Sequence, residues 1–146
     1  MSTTYGFDTY HPFDSKVHPL EKRRVVEGVA WCKDCFVVLV KENEIIQIGE
    51  KRTFPNYRPL TKSQTAVAFE FYNSSNPEAK YTTDPAVSPS IGKVTVQSPD
   101  VSKGRDRNID VCLTFGGTEI KVTAIDKTSR KTATAYLDFL CEKSLI

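Results

Sequence analysis

Ile109-Asp-Val-Cys-Leu-Thr-Phe-Gly-Gly-Thr-Glu-Ile-Lys-Val-Thr-Ala-Ile-Asp126 sets the fold class. Ile109, Val111, Leu113 and Phe115 share one parity before Gly116-Gly117, and Ile120, Val122 and Ala124 share one after it. Glu119, Lys121 and Thr123 take the opposite positions. Successive side chains point to opposite faces of a strand, so each run has one face to bury and one to hydrate. Gly-Gly between such runs is a hairpin turn signal. The charged segment 126–131 predicts a second turn, leading into a last strand over 132–140.

Working outward, residues from 45 onward read as all-β. Strands are expected over 44–49, stopped by Gly49, over 63–72, with Thr65, Val67, Phe69 and Phe71 on one side, and over 93–98. Residues 55–59 read as a loop, and 73–91 as an exposed connection with a short strand near Tyr81. Residues 3–10 are rich in β-branched and aromatic types and read as a first strand. Pro19 suits the opening turn of a short helix, which Gly28 interrupts. Segment 30–42 points two ways. Its run Phe36-Val-Val-Leu-Val40 favours strand, whereas Trp31, Cys35, Val38 and Leu39 fall at helical spacing, and helix is preferred. The sum is a mainly β, antiparallel β-sandwich with a small helical portion near the N-terminus. It forms a single domain over 3–141 with a tail at 142–146.

A chain of 146 residues can bury a core, and 39% hydrophobic with 26% charged residues is ordinary for a globular protein. Net charge of +2 makes no global case for nucleic acid. The basic clusters Lys22-Arg23-Arg24, Lys103/Arg105/Arg107 and Lys127/Arg130/Lys131 read as solvated turns. The longest apolar run, Phe36 to Val40, is too short to span a bilayer. The first residues lack a signal pattern, so a cytoplasmic protein with reduced thiols is expected.

The hairpin, with its strand opening Ile-acidic-Val and its second strand ending Ala-x-Asp-Lys, resembles the end of the β-sandwich substrate-binding domain of the seventy-kilodalton heat-shock chaperones. Tyr5-Gly-Phe-Asp-Thr-Tyr10 is similar to that domain's first strand, and Lys62-Ser63-Gln64 to a motif before a middle strand. Phe71-Tyr-Asn-Ser-Ser75 sits where the family often ends a strand. His18-Pro-Leu-Glu-Lys22, Trp31-Cys32, Gly49-Glu50, Thr83-Asp84-Pro85 and Thr118 to Asp126 resemble the family's divergent twelfth-member branch.

The resemblance implies a fragment in which residues 11–50 are a branch-specific, partly helical insertion. ATP and magnesium would act in a missing N-terminal ATPase domain, with no cofactor here. It implies no helical lid, since the chain ends soon after Leu140, and faster peptide release as a result. The expected partners are unfolded or extended polypeptide segments and the chain's own ATPase domain, with no nucleic acid and no membrane span. Carried over by position, Phe7, Thr9 and Tyr10 fall on the cleft side of the first strand and Ile109 on a pocket-floor position. Val67 and Phe69 become pocket residues under one of two alignments. Phe7, Thr9 and Tyr10 read evenly as cleft or core, Ile109 also reads as core, and core is the favoured reading for Val67 and Phe69.

Two alternatives stand beside a peptide-binding domain. One is a sandwich whose groove is lost and which serves as a regulatory or protein-interaction module. The other is a thiol redox protein, since Trp31-Cys32-Lys33-Asp34-Cys35 matches a signature that works at a helix N-terminus. No parallel βαβ pattern follows it, which counts against that fold. A zinc site wants four ligands, and Cys32 and Cys35 offer two. His11 and His18 lack a matching spacing, and Cys112 and Cys141 lie far along the chain. No catalytic constellation can be built from two histidines both within residues 11–18, so no enzyme activity and no metal are expected.

Overall fold

A computed structural model describes residues 3–139. Leu140, Cys141 and the tail at 142–146 lie outside the described residues. Among the described residues nine strands form two antiparallel sheets. They are β1 (Thr4–Pro12), β2 (Arg23–Val26), β3 (Val29–Val40), β4 (Lys51–Tyr57), β5 (Ala66–Ser74), β6 (Gly92–Gln97), β7 (Ile109–Phe115), β8 (Glu119–Asp126) and β9 (Thr132–Asp138). One sheet runs β2-β3-β1-β5-β6 and the other β4-β7-β8-β9. β6 packs across β8 and β9, joining the sheets along one side.

The quoted stretch behaves as its alternation demands. β7 pairs β8 from Ile109↔Asp126 to Phe115↔Ile120, and β8 pairs β9 from Glu119↔Asp138 to Ile125↔Thr132, both without a register shift. Ile109, Val111, Leu113 and Phe115 face inward with Ile120, Val122, Ala124 and Leu137. Phe7, Phe69, Phe71, Val94 and Val96 of the other sheet complete one core cluster.

The helical expectations fail. Within residues 11–50 the only helix is a single 3-10 turn at Leu20–Lys22. Most of segment 30–42 is strand β3, which ends at Val40. Its helix-like spacing has a specific cause. β1 advances from Thr9 to His11 while β3 advances from Cys35 to Cys32, so β3 carries an extra residue there, with Asp34 at φ 61. A second shift sets Tyr5 against Val40 and Gly6 against Val38. Each bulge turns the next side chains onto the other face, so Cys32 and Cys35, and Leu39 and Val40, are buried at non-alternating spacings. The β-branched run decides between the two patterns because β1 is there to pair it, while β2 pairs the first part of β3 from Val29 to Cys32.

Three smaller expectations shift too. Segment 44–49 is loop, with only Ile46 buried and Ile45 and Ile48 exposed, and pairing resumes at Gly49 N–H to Phe115 O (2.7 Å). Residues 55–57, expected as loop, end strand β4, where a shift between Phe54 and Tyr57 accommodates Pro55 and Asn56 at φ 69. The expected strand near Tyr81 is a single bridge to Cys35, flanked by Phe36 N–H to Lys80 O and Thr82 N–H to Asp34 O.

Candidate functional site: a fork between two strands

β1 begins as a full neighbour of β5, from Thr4↔Ser74 to Phe7↔Phe71. There the partnership ends. β1 continues along β3 to Pro12, and β5 runs from Phe71 back to Ala66 paired with β6 alone. The five-stranded sheet therefore splits, leaving one edge of residues 8–12 and one edge of residues 66–70 facing a gap. Strand edges are rows of main-chain donors and acceptors, which another extended chain can pair with.

A cavity of about 260 Å³ fills the fork, lined by Thr9 and Tyr10 on one prong and Val67 and Phe69 on the other, with Tyr57 and Leu60 between. Beneath it, Phe7 stands edge-on to Tyr57 (5.1 Å between centroids) and to Phe69 (5.7 Å), and Tyr57 edge-on to Phe69 (5.8 Å). Edge-to-face aromatic packing of this kind stiffens a floor. A second cavity of about 230 Å³ shares Tyr10, Tyr57 and Leu60 with the first and adds Trp31 and Arg105. A third, between Leu60, Trp31 and Arg105, reaches Val26 and Val29 beside the β2–β3 turn.

Of the residues singled out from sequence, Thr9, Tyr10, Val67 and Phe69 are brought together in the fork. Phe7 and Ile109 are 0% exposed. Phe7 supports the floor from below, and Ile109 lies opposite Tyr57 in the neighbouring sheet. Tyr57, Arg58, Leu60 and Asp8 were not anticipated. Tyr57 and Arg58 stood in a stretch read as loop, with Leu60 just past it, and loops held by a scaffold are where binding residues concentrate.

The loop from Arg58 to Gln64 forms the outer wall and is tied down. Gln64 Oε1 accepts from Leu60 and Thr61 N–H (3.1 and 3.3 Å), and its Nε2 donates to Ala66 O (2.7 Å). Arg107 is 0% exposed and donates to the carbonyls of Gly104 (2.6 Å), Gln64 (2.7 Å), Ser98 (2.9 Å) and Lys62 (3.3 Å). Arg105 donates to Pro59 O (3.1 Å) and lies 4.9 Å over the Trp31 ring. Arg105 and Arg107 thus correct the expectation of a solvated basic turn, because an arginine's several donors can gather loop carbonyls that nothing else satisfies. The tip of the β2–β3 hairpin, with Glu27 at φ 50 and Gly28 at φ 77, touches the same wall where Glu27 Oε1 accepts from Lys62 N–H (2.9 Å).

Asp8 and Glu70 flank the point where the strands part, one residue beyond Phe7 and one before Phe71. Burial pushes the Asp8 carboxyl up to about 6, Asp34 and Glu70 add to this, and the Thr82 hydroxyl at 3.4 Å partly offsets it. Asp34 is paired with Lys22 at 3.1 Å, and Glu70 accepts from the Tyr72 hydroxyl at 3.2 Å. Burial and then Glu70 push the Tyr72 hydroxyl up to about 12.

Cys32 and Cys35 lie buried on strand β3 and not at a helix N-terminus. Burial, then the adjacent Cys32, pushes the Cys35 thiol up to about 12, which withholds the thiolate that redox exchange needs. Cys112 sits on the outer face against the Thr53 hydroxyl at 3.7 Å. Among the described residues no group of three or more His, Cys, Asp or Glu is placed to hold a metal ion. No helix among them is long and apolar enough to cross a membrane.

No family model matches the chain. It is 32% identical over 142 residues to heat shock 70 kDa protein 12A of Mus musculus, covering 94% of this chain and 20% of that protein. It is likewise 32% identical over 145 residues to heat shock 70 kDa protein 12B of Homo sapiens, covering 94% and 21%. The Homo sapiens 12A protein matches at 32% over 142 residues. The chain therefore spans about a fifth of the length of these relatives. It is a divergent relative of the twelfth-member branch of the heat-shock 70 kDa family.

Proposed function

We propose that this relative of heat shock 70 kDa proteins 12A and 12B is a peptide-binding sandwich that holds an extended, partly apolar polypeptide segment in the fork between β1 and β5. The observation that carries this is the end of β1–β5 pairing at Phe7↔Phe71 above a cavity of about 260 Å³. Main-chain bonding to the free strand edges would give affinity for any extended sequence, and a pocket gives preference for particular side chains. Val67, Phe69 and Tyr57 offer the apolar floor, and Thr9 and Tyr10 the near wall. Binding is non-covalent. Phe7 and Ile109 act from beneath by keeping Tyr57 and Phe69 in place.

The test is fluorescence anisotropy with a labelled, Leu-centred heptapeptide. Ala68 is exposed and lines the cavity, so Ala68→Trp fills its mouth without entering the core. Wild type should bind saturably, and Ala68→Trp, with an unchanged circular dichroism spectrum and melting temperature, should lose at least tenfold in affinity. A wild type silent up to millimolar peptide would remove the groove and leave an interaction module as the better reading. Equal binding by Ala68→Trp would move the site elsewhere.

A further inference from the structure

The fork's two ends differ in charge. At the closed end, where β1 and β5 part, stand the carboxylates of Asp8 and Glu70. At the open end, past Tyr10 and Tyr57, stand Arg58 and Arg105 with Trp31. We propose that this groove selects an extended peptide carrying an apolar side chain flanked by a basic residue toward Asp8 and an acidic residue toward Arg105. The inference rests on the peptide-binding reading and adds to it the class of sequence preferred.

Asp8 is the carboxylate with most to gain from a ligand cation. Lys22, which acts on its charge only weakly, is committed elsewhere, its Nζ lying 3.1 Å from Asp34 Oδ2 and 2.6 Å from the Thr83 hydroxyl. Asp8 receives only the weak Thr82 contact at 3.4 Å, and it is half-buried between Asp34 and Glu70. A desolvated carboxylate beside two like charges favours whatever brings a positive charge to it. Glu70 faces Lys93 across the β5–β6 pairing, and Lys93 also lines the cavity. No ion pair joins the two among the described residues, so a ligand ammonium can enter between the prongs.

Arg105 offers the converse. Its Nε is held by Pro59 O and its guanidinium lies 4.9 Å from the Trp31 ring centroid, which fixes its position. No carboxylate among the described residues lies within ion-pair distance of it. Arg58 meets Asp106 at 3.4 Å with both side chains largely in water, a pairing that a ligand carboxylate can replace at little cost. Guanidinium groups suit carboxylates because they donate in pairs. The apolar floor between the two ends supplies the third element of the pattern. β1 and β5 run antiparallel, so a chain between them is parallel to one and antiparallel to the other whichever way it lies. The charge pattern is therefore expected to matter more than its direction.

The experiment compares end-capped, Leu-centred heptapeptides by anisotropy with the full chain. One is neutral, and the others carry a single Lys or a single Asp on either flank. With wild type, the better of the two Lys peptides and the better of the two Asp peptides should each bind about 5- to 10-fold tighter than the neutral one. In Asp8→Asn/Glu70→Gln the Lys advantage should vanish while the Asp advantage stays, and in Arg105→Gln the reverse should hold. Each ratio is taken within one variant, so a general loss of affinity does not imitate the result. Equal binding of charged and neutral peptides by wild type would overturn the charge preference and leave the groove intact. An advantage that survives its matching substitution would overturn the residue assignment. No binding of any peptide would overturn the groove and the preference together.

Discussion

The β7–β8–β9 meander and the β1–β5 fork use similar residues to opposite ends. In the meander, alternating Val, Ile, Leu and Phe pair in unbroken register and leave no gap. In the fork, an equally apolar β5, with Val67, Phe69 and Phe71, pairs β1 for four residues and is then abandoned by it. Propensity does not separate the two regions. What differs is the third strand: β3, bulged at Asp34 and again near Leu39, draws β1 away from β5. A bulge bends the strand that carries it and increases its twist. The same sandwich thus has a half built for stability and a half in which main-chain pairing is left incomplete.

That contrast predicts where substitutions hurt. Phe115 is buried in the closed half and packs edge-on to Phe139 at 5.6 Å between centroids. Phe115→Ala should cost about 3–5 kcal/mol in urea denaturation, the usual range for an aromatic cavity. Tyr10→Ala, on the open prong, should cost about 1 kcal/mol or less while weakening peptide binding by at least tenfold. Similar stability losses at the two sites would erase the distinction between a packed half and a binding half.

A middle-sized effect sharpens it. Arg107 joins the wall of the fork to the rest of the fold through four carbonyls and one hydroxyl. Each buried acceptor left unsatisfied costs about 1–3 kcal/mol, though the loop can relax to rehydrate some of them. Arg107→Met should lose about 2–4 kcal/mol and weaken peptide binding as well, because Pro59 to Gln64 would no longer be held. Arg107→Lys should rescue little, since an ammonium on a flexible stem cannot reach carbonyls spread around a planar guanidinium. Full rescue by lysine would show that charge and not geometry holds the wall.

How much of this was legible follows from which forces act locally. The meander was readable because strict alternation and a Gly-Gly turn write strand, face and register into adjacent residues. β3 was not, because its bulges displace the buried positions to the three- and four-residue spacings of a helix. The clue available was Asp34 between Lys33 and Cys35, a residue type that tolerates positive φ, just ahead of a β-branched run. The resemblance supplied Thr9, Tyr10, Val67 and Phe69, whose common cavity depends on pairing between distant segments. It could not supply Tyr57, Leu60 or the burial of Arg107. Tyr57 is placed by pairing with Ile109, and the loop by Arg105 and Arg107 donating to carbonyls 43 to 46 residues away in sequence, which no local pattern encodes.

The smallest expected effect probes the closed end of the fork itself. Asp8 has a carboxyl raised to about 6 from an ordinary 3.8, so its ionised form is disfavoured in the folded state. The stability associated with its protonation is fully present below about pH 3.8 and is lost as pH rises through about 6. Asp34 and Glu70 face it as like charges, and Lys22 opposes them only weakly. Asp8→Asn should therefore be more stable than wild type at pH 7.5 and close to it at pH 4.5. The difference should be about 1 kcal/mol once solvent screening at a half-buried site is allowed for. Peptide binding should run the other way: a Lys-flanked peptide should bind wild type more tightly at pH 7.5 than at pH 5, as Asp8 acquires its charge, whereas a neutral peptide should show no such gain. An Asp8 that behaved as an ordinary surface carboxylate, with neither dependence centred near pH 6, would mean that the vertex of the fork is wetter and more open than the partial burial of Asp8 implies. The two halves of the sandwich would then differ in pairing but not in the dryness of what the pairing leaves behind.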